Sequence, residues 1–317
     1  MQDPAAFEKE ALANLRQQLP APHRAVVAAS GGIDSTVAAV LAQRALGDRA
    51  RAVFVDTGLL RAGEVERTEA LLSSVGVELH VLKGAERFFS VLRGVSDPEE
   101  KRRRIGATFV RLFEEEAGRV GASHLVQGTI APDWIESGGS LRDTIKTHHN
   151  VGGLPKDLKL SVVEPLRDLY KDEVRQVARH LGIPQWERQP FPGPGLAVRV
   201  VGEVTPERVE LARVACAEVE AEIDQAVHEG RLARPWQYFA TLLPIRTVGV
   251  EGDVRTYGLA ASVRVVESTD AMTATAMALP PEIARRIAER ITRASHGGIT
   301  RVLLDLTDKP PATIEWE

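Results

Sequence analysis

Cysteine is almost absent from this chain of 317 residues, since Cys216 is the only one. A single thiol cannot form a disulfide within the chain or supply a Cys-x-x-Cys motif. Cys216 also falls on the apolar stripe of a predicted helix, so we interpret it as a core residue and not as a nucleophile. The scarcity of cysteine favours a reducing compartment, and we expect a cytoplasmic protein.

An excess of positive charge is missing too. The formal net charge is -4 at pH 7, and the sequence pI is about 6.1. Proteins that bind duplex DNA or tRNA carry clustered basic residues. The charge balance therefore argues against a nucleic-acid partner and against RNA-modifying enzymes.

Long apolar runs are also lacking. A helix that crosses a bilayer needs roughly 20 consecutive apolar residues, and no run in the chain approaches that length. We therefore expect no signal peptide and no membrane partner. The composition, 44% hydrophobic and 26% charged, is that of an ordinary globular protein, and the length favours two domains.

What the chain does contain is a pattern for binding phosphate. The apolar run Ala25 to Ala29 leads into Ser-Gly-Gly-Ile-Asp-Ser-Thr and then into Ala-rich sequence with helical spacing, which predicts a strand, a tight loop and a helix. Free amides at a helix start attract anions, and glycines let the backbone approach phosphate oxygens. The alternative is an ordinary Gly-Gly turn with a Ser or Asp helix cap. The predicted ATP-binding residues of this loop are Ser30, Gly31, Gly32, Ile33, Asp34, Ser35 and Thr36.

The loop lacks the lysine that kinase-type phosphate loops use, so it fits transfer of a terminal phosphoryl group poorly. Asp34 repels a polyphosphate unless a divalent cation stands between them, and we therefore predict Mg²⁺ with Asp34 as its ligand. In these features the loop resembles that of the N-type ATP pyrophosphatases, which split ATP between its α and β phosphates.

Strands that alternate with helices over the first part of the chain predict an α/β fold with a doubly wound parallel sheet. Ligands of such sheets bind beyond the carboxyl ends of the strands, where Asp56, Gly128 and Thr129 are expected. We assign Gly128 and Thr129 to the ATP site. Asp56 is interpreted either as a contact to the ribose or adenine of ATP or as a helix cap.

Three prolines and two glycines between Gln189 and Leu196 interrupt regular structure. The predicted division is an ATP pyrophosphatase domain over 1–190, a hinge over 191–199 and a smaller α+β domain over 200–317. A domain of that size is readily completed by a second copy, so we predict a homodimer through it.

Two groups of basic residues are candidates for phosphate binding. Residues 101–104 are four consecutive cations near a predicted helix start. They form either a solvated face or a grip on a phosphate monoester, whose oxygens match the guanidinium fork. Lys146 and Lys156 lie in a segment with the glycines and prolines of a mobile loop, and we interpret this segment as a lid over phosphates.

Four stretches together resemble the GMP synthetase family: 30–36, 145–155, 191–196 and 309–317. The most specific are Thr-His-His-Asn-Val-Gly-Gly-Leu-Pro, Phe-Pro-Gly-Pro-Gly-Leu and Lys-Pro-Pro-Ala-Thr-Ile-Glu-Trp-Glu. The resemblance implies an adenine nucleotide alpha hydrolase-like fold. It also implies amination of xanthosine monophosphate (XMP) by ammonia through an adenylyl-XMP intermediate, with GMP, AMP and pyrophosphate as products.

The resemblance further implies roles for individual residues. Asp34, Lys146 and Lys156 are expected to be catalytic. Binding of XMP is expected from Arg102, Lys309, Thr313 and Glu315.

In the common single-chain form of the family, a glutamine amidotransferase domain precedes this region, whereas 29 residues precede Ser30 here. We therefore expect a synthetase subunit that receives ammonia from a separate amidotransferase. The alternatives are NAD synthetase, which shares the loop but should lack the 191–196 and 309–317 stretches, a non-catalytic AMP or ATP sensor, and an RNA-modifying enzyme.

Overall fold

A computed structural model of the chain describes residues 3–131, 160–184, 189–269 and 271–317. The chain divides into two compact units. The first comprises Met1–Thr57, Gly63–Phe88 and Arg103–Glu187, and the second comprises Gly58–Ala62, Phe89–Arg102 and Arg188–Glu317. The second unit thus includes two short segments from the first half of the chain, which the sequence did not lead us to expect. The functional domain boundaries stay a prediction.

The first unit is built on a five-stranded parallel sheet in the order β3-β2-β1-β4-β5. This arrangement confirms the predicted α/β fold. The chain adds β2 and β3 on one side of β1 and then returns to add β4 and β5 on the other. The strand order therefore reverses between β1 and β4, and that is where a ligand crevice is expected. The strands are β1 Ala25–Ala28, β2 Ala50–Asp56, β3 Leu79–Lys83, β4 His124–Val126 and β5 Ser161–Val163.

Helices cover this sheet on both faces. Side chains alternate along a strand, so Val27 and Ala52 face one buried cluster, which includes residues of α1, α2 and α6. Val55 points to the opposite face, where Phe88 and Leu112 converge on Gly84. The helices are α1 Pro4–Gln18, α2 Ile33–Leu46, α3 Glu64–Ser74, α4 Ala85–Leu92, α5 Pro98–Val120 and α6 Lys171–His180.

The second unit is an α+β structure, as predicted. Strands β6, β7 and β8 pair antiparallel, and β9 pairs parallel with β7, so the sheet is mixed. Helix α8 buries a stripe of Ile283, Ile287 and Ile291. The elements are α7 Pro206–His228, β6 Gln237–Glu251, β7 Val254–Glu267, β8 Thr275–Ala276, α8 Pro281–Ala294 and β9 Ile299–Asp305, with a 3₁₀ turn at Gly195–Arg199.

The lone cysteine is a core residue, as its position on a helix stripe predicted. Cys216 lies on α7 with 2% of its surface exposed, and its thiol donates a hydrogen bond to the Ala240 carbonyl at 3.2 Å. Burial raises the pKa of this thiol, so it is held in its unreactive form. Among the helices of the described residues, none combines the length and apolarity that crossing a membrane requires.

The start of α7 provides a direct test of the second unit's local structure. Thr205 has extended backbone angles, Pro206 follows at the first helical position, and the Thr205 side chain accepts a hydrogen bond from the Arg208 amide at 3.3 Å. We expect Thr205→Ala to lower the free energy of unfolding by about 1 kcal/mol, because one helix amide loses its acceptor. Thr205→Ser should have nearly the same free energy of unfolding as the wild type. Chemical denaturation at fixed protein concentration measures both, and equal stability of wild type and Thr205→Ala would rule out the cap.

Candidate functional site

The loop at 30–36 connects β1 to α2 without a side-chain helix cap. The N-cap residue of α2 is Gly32, and in the described part of the chain no side chain caps it. The Ser35 and Thr36 hydroxyls instead donate to the Gly32 carbonyl at 3.0 and 2.9 Å. The interpretation of this stretch as a Ser or Asp helix cap is therefore wrong. The amides at the start of α2 stay available for an anion.

Close backbone approaches shape this loop and require glycine at two positions. Gly31 has a φ of +78°, and a Cβ there would lie 2.6 Å from Thr68 Oγ1. A Cβ on Gly128 would lie 2.7 Å from the Asp34 carbonyl carbon and from the Ser35 amide nitrogen. The segment after β4 thus packs directly against the first turn of α2. Gly128 is thereby brought to the loop, and the next residue, Thr129, is buried. The assignment of both residues to ATP stays a prediction.

Asp34 presents one paired and one unpaired carboxylate oxygen. Its Oδ2 accepts a hydrogen bond from Lys171 Nζ at 2.6 Å. Its Oδ1 is buried and has no hydrogen-bond partner in the described part of the chain. An unsatisfied buried acceptor costs on the order of 1–3 kcal/mol, and a carboxylate oxygen is a preferred ligand of Mg²⁺. The geometry therefore fits a role for Oδ1 as a ligand of a cation.

Within the described residues no group of three or more acidic, histidine or cysteine side chains is placed to hold a metal ion. Mg²⁺ is commonly held by one or two carboxylates together with waters and substrate phosphates. A single carboxylate beside an anion-binding helix start matches that mode of binding.

Lys171 was missed by the sequence analysis. It lies 137 positions from Asp34 and is the first residue of α6. A cation at a helix N-terminus is electrostatically unfavourable because it meets the positive end of the helix dipole. A lysine at the first position of a helix was the one signal that the sequence offered. The ion pair with Asp34 explains why a lysine stands there.

Asp56 ends β2, as predicted, and its carbonyl accepts from the Gly84 amide at 2.8 Å. It does not cap the next helix, because the N-cap residue of α3 is Gly63 and no side chain caps it. The helix-cap interpretation is therefore wrong, whereas the contact to ATP stays a prediction. A second carboxylate, buried Glu64, lies beside Gly31 and was not anticipated. Lys146 and Lys156 lie outside the described residues.

The carboxy-terminal stretch 309–317 is docked into the second unit. Arg264 on β7 is fully buried, and its guanidinium donates to the carbonyls of Thr307, Thr313 and Ile314 at 2.8–2.9 Å and to Asp305 at 2.8 Å. One buried cation thereby holds Thr313 and Ile314 of this stretch, because a desolvated guanidinium must be paired and hydrogen-bonded.

Glu315 lies in a buried polar cluster that sequence reasoning did not reveal. Its two oxygens accept from Arg199 Nε and Nη2 at 3.1 and 2.9 Å, and Oε1 also accepts from Gln237 Nε2 at 3.0 Å. The Arg199 guanidinium is fully buried and stacks on Phe239 and Phe191, 4.2 and 5.1 Å from the ring centres. Burial alone lowers the pKa of Arg199, but the Glu315 carboxylate raises it above its usual value. The Arg199 guanidinium is therefore held in its charged form.

The other three residues expected to bind XMP have partners within the second unit. Arg102 pairs with Glu99 on the same helix. Lys309 donates from Nζ to the Ala271 carbonyl at 2.8 Å, and the Thr313 hydroxyl donates to the Glu315 carbonyl. The run at 101–104 is not a uniformly solvated face, because its first member, Lys101, is completely buried.

Comparison with known proteins adds independent information. Residues 9–101 match the sequence model of NAD synthase, and residues 224–316 match that of the GMP synthase C terminal domain. Similar curated proteins are named as the B subunit of glutamine-hydrolyzing GMP synthase. The one from Methanopyrus kandleri is 56% identical over 320 residues, which cover 100% of both chains. The one from Pyrococcus furiosus is 54% identical over 98% of this chain and 97% of its own, and the one from Thermococcus kodakarensis is 57% identical over 93% and 94%.

The contact of Gly128 with the loop leads to a mutational prediction. The added methyl group of Gly128→Ala would meet main-chain atoms of Asp34 and Ser35, which no side-chain rotation can move away. We expect the dissociation constant of a non-hydrolysable ATP analogue to rise about tenfold or more, because the loop shifts relative to β4.

Gly118→Ala is the matched control. Nothing lies within 4 Å of its added Cβ, and glycine inside helix α5 is unfavourable, so this variant should bind as wild type does and be up to about 1 kcal/mol more stable. Calorimetry of both variants measures the binding. Wild-type affinity in Gly128→Ala would show that the close approach does not shape the nucleotide site.

Proposed function

The chain belongs to the family of GMP synthase B subunits, and from this premise we propose that it catalyses the ATP-dependent amination of XMP. The xanthine O2 attacks the α-phosphate of ATP and pyrophosphate leaves, so that adenylyl-XMP forms. Ammonia then displaces AMP at C2 and GMP results. The observation that carries the proposal is a lysine-free phosphate loop with an unsatisfied Asp34 oxygen, in a chain that also matches the GMP synthase C terminal domain.

The loop is suited to hold the pyrophosphate part of ATP. The uncapped amides at the start of α2 and the hydroxyls of Ser30, Ser35 and Thr36 provide donors without adding a full positive charge. Gly31 and Gly32 keep the backbone open to the phosphates. When bound, Mg²⁺ would neutralise the charge on the leaving pyrophosphate, and Asp34 Oδ1 is the atom we assign to it.

Lys171 orients this carboxylate. Because its ammonium engages Oδ2, the other oxygen, Oδ1, is left without a partner in the described residues. Asp56, Gly128 and Thr129 are assigned to the same nucleotide. Lys146 and Lys156 are assigned to closure over the phosphates on the sequence pattern alone.

For XMP we propose the second unit. A carboxylate offers about four acceptor positions, and three of those on Glu315 are taken by Arg199 and Gln237. The remaining position on Oε2 can accept from a purine N–H. Arg102 and Lys309 carry charges that suit the phosphate monoester, and Thr313 adds a hydroxyl.

We also propose a homodimer, a separate amidotransferase and a cytoplasmic location. The distal part of the β6–β7 hairpin exposes Val248 and Tyr257, which are register partners and share one face, with 49% and 60% of their surfaces exposed. Such a face is suited to a second copy. The relatives' names speak of glutamine hydrolysis and of one subunit among others, and buried Cys216 cannot serve as the nucleophile for it.

The source of nitrogen tests the proposal. With ATP, Mg²⁺ and XMP, an ammonium salt should support equal formation of GMP and AMP, whereas glutamine alone should yield neither. Asp34→Asn, which keeps the shape of the side chain, should lower the rate about a hundredfold or more through lost charge stabilisation. Chromatography of the nucleotides follows the reaction. GMP formed from glutamine alone would overturn the separate amidotransferase, and no GMP with ammonium would overturn the reaction itself.

The proposed dimer contact is tested by introducing a charged side chain on the β6–β7 hairpin. Val248→Asp should convert the dimer to monomers, because two carboxylates would be desolvated in the symmetric contact. Val162→Asp, at another exposed valine, should leave the mass unchanged. Light scattering at several concentrations measures both. A dimer that survives Val248→Asp, or a wild type that is monomeric, would contradict the assigned face.

A further inference from the structure

Lys101 is the most deeply buried ammonium group in the described residues. None of its surface is exposed, although it begins the run of cations at 101–104 that looks solvent-facing in the sequence. Moving an ammonium ion out of water costs several kcal/mol unless it is paired and fully hydrogen-bonded. Its position therefore depends on dedicated partners.

Three chain segments supply those partners. The ammonium donates to the Val200 carbonyl at 2.8 Å, to the Ala197 carbonyl at 3.4 Å and to the side chain of Glu317. The Glu317 carboxylate, 6% exposed, also accepts from the Gly202 amide at 2.9 Å. The start of α5, the 3₁₀ turn and the last residue of the chain are thus joined at one charge.

Each of these segments carries a residue assigned to XMP or the partner of one. Arg102 is the next residue after Lys101. Arg199 lies in the sequence between Ala197 and Val200, whose carbonyls accept from Lys101. Glu315 is two residues before Glu317. Arg199 and Glu315 are themselves joined by two hydrogen bonds. The ammonium is therefore linked, through one or two residues of backbone, to every one of the three.

We propose that Lys101 and Glu317 form a positioning pair for XMP binding. The pair fixes the start of α5, the 3₁₀ turn and the tail relative to one another, and so sets the spacing of Arg102 and Glu315. Lys101 is completely buried and acts through its neighbours without touching the nucleotide. The inference rests on the proposed function, since it takes Arg102 and Glu315 as XMP ligands.

The charge of Lys101 depends on Glu317. Burial lowers the pKa of the ammonium, the Glu317 carboxylate acts in the opposite direction, and nearby Arg208 and Arg102 lower it further. Without the carboxylate, the ammonium either stays buried and uncompensated or loses its proton. Both outcomes weaken its hold on the backbone at 197 and 200.

Glu317→Gln tests the pair, because it keeps the shape of the side chain and removes the charge. We expect the KM for XMP to rise about tenfold, with the KM for ATP and the kcat at saturating XMP within about twofold of wild type, since only the XMP ligands are displaced. If this variant folds poorly, the double variant Lys101→Met with Glu317→Met provides a second measurement. It should recover the melting temperature, because an apolar pair replaces a buried ion pair at little cost, while its KM for XMP stays raised.

Glu222→Gln is the matched control. Glu222 is 2% exposed and pairs with Arg286 at 3.0 Å and Arg231 at 3.9 Å, neither of which is assigned to XMP. It should lower the melting temperature and leave the KM for XMP unchanged. A wild-type KM for XMP in both Glu317 variants, or an equal rise in Glu222→Gln, would overturn the positioning role. Failure of the wild type to form GMP from ammonium would instead overturn the proposed function.

Discussion

A charge that is taken out of water needs a partner, and this constraint shapes both candidate sites of the protein. In the second unit, the fully buried cations Lys101, Arg199 and Arg264 each find at least one acceptor in the carboxy-terminal stretch. Among the described residues, that stretch forms one isolated β-bridge, between Lys309 and Ala274, so polar contacts and not a strand ladder hold it. Removing the carboxylate of Glu315 or Glu317 would leave a buried cation without its counter-charge, which costs far more than the contact itself contributes. The buried charges that anchor the carboxy-terminal stretch thus also fix the positions of its residues.

In the first unit the same constraint is met only in part. Lys171 satisfies one oxygen of Asp34 and leaves the other buried without a partner. A fully satisfied network would make a rigid core, whereas a half-satisfied carboxylate beside an uncapped helix start retains electrostatic capacity for a cation and an anion together. The unpaired oxygen therefore makes the site less stable than a complete set of partners would. A cation bound with a nucleotide would supply the missing partner.

Sequence patterns were informative where the chemistry is local. The strand, loop and helix that begin at Ala25 follow from apolar spacing and turn residues, and the structure has all three. Local patterns failed where the partner is distant. Residues 101–104 looked like equivalent cations, yet Lys101 is buried and Arg102 pairs with a neighbouring glutamate. Arg199 and Gln237 gave no signal, because only folding brings them to Glu315.

By itself the sequence determined the α/β class, the phosphate loop with its missing lysine, and the family, since these depend on residue types at short spacing along the chain. Only the tertiary structure decided which charges are buried and what each one pairs with. Lys171 reaches Asp34 across 137 residues, and Lys101 reaches Glu317 across 216. The reason is physical: the cost of burying a charge depends on the dielectric environment and on acceptors contributed by distant segments, and neither is defined until the chain has folded.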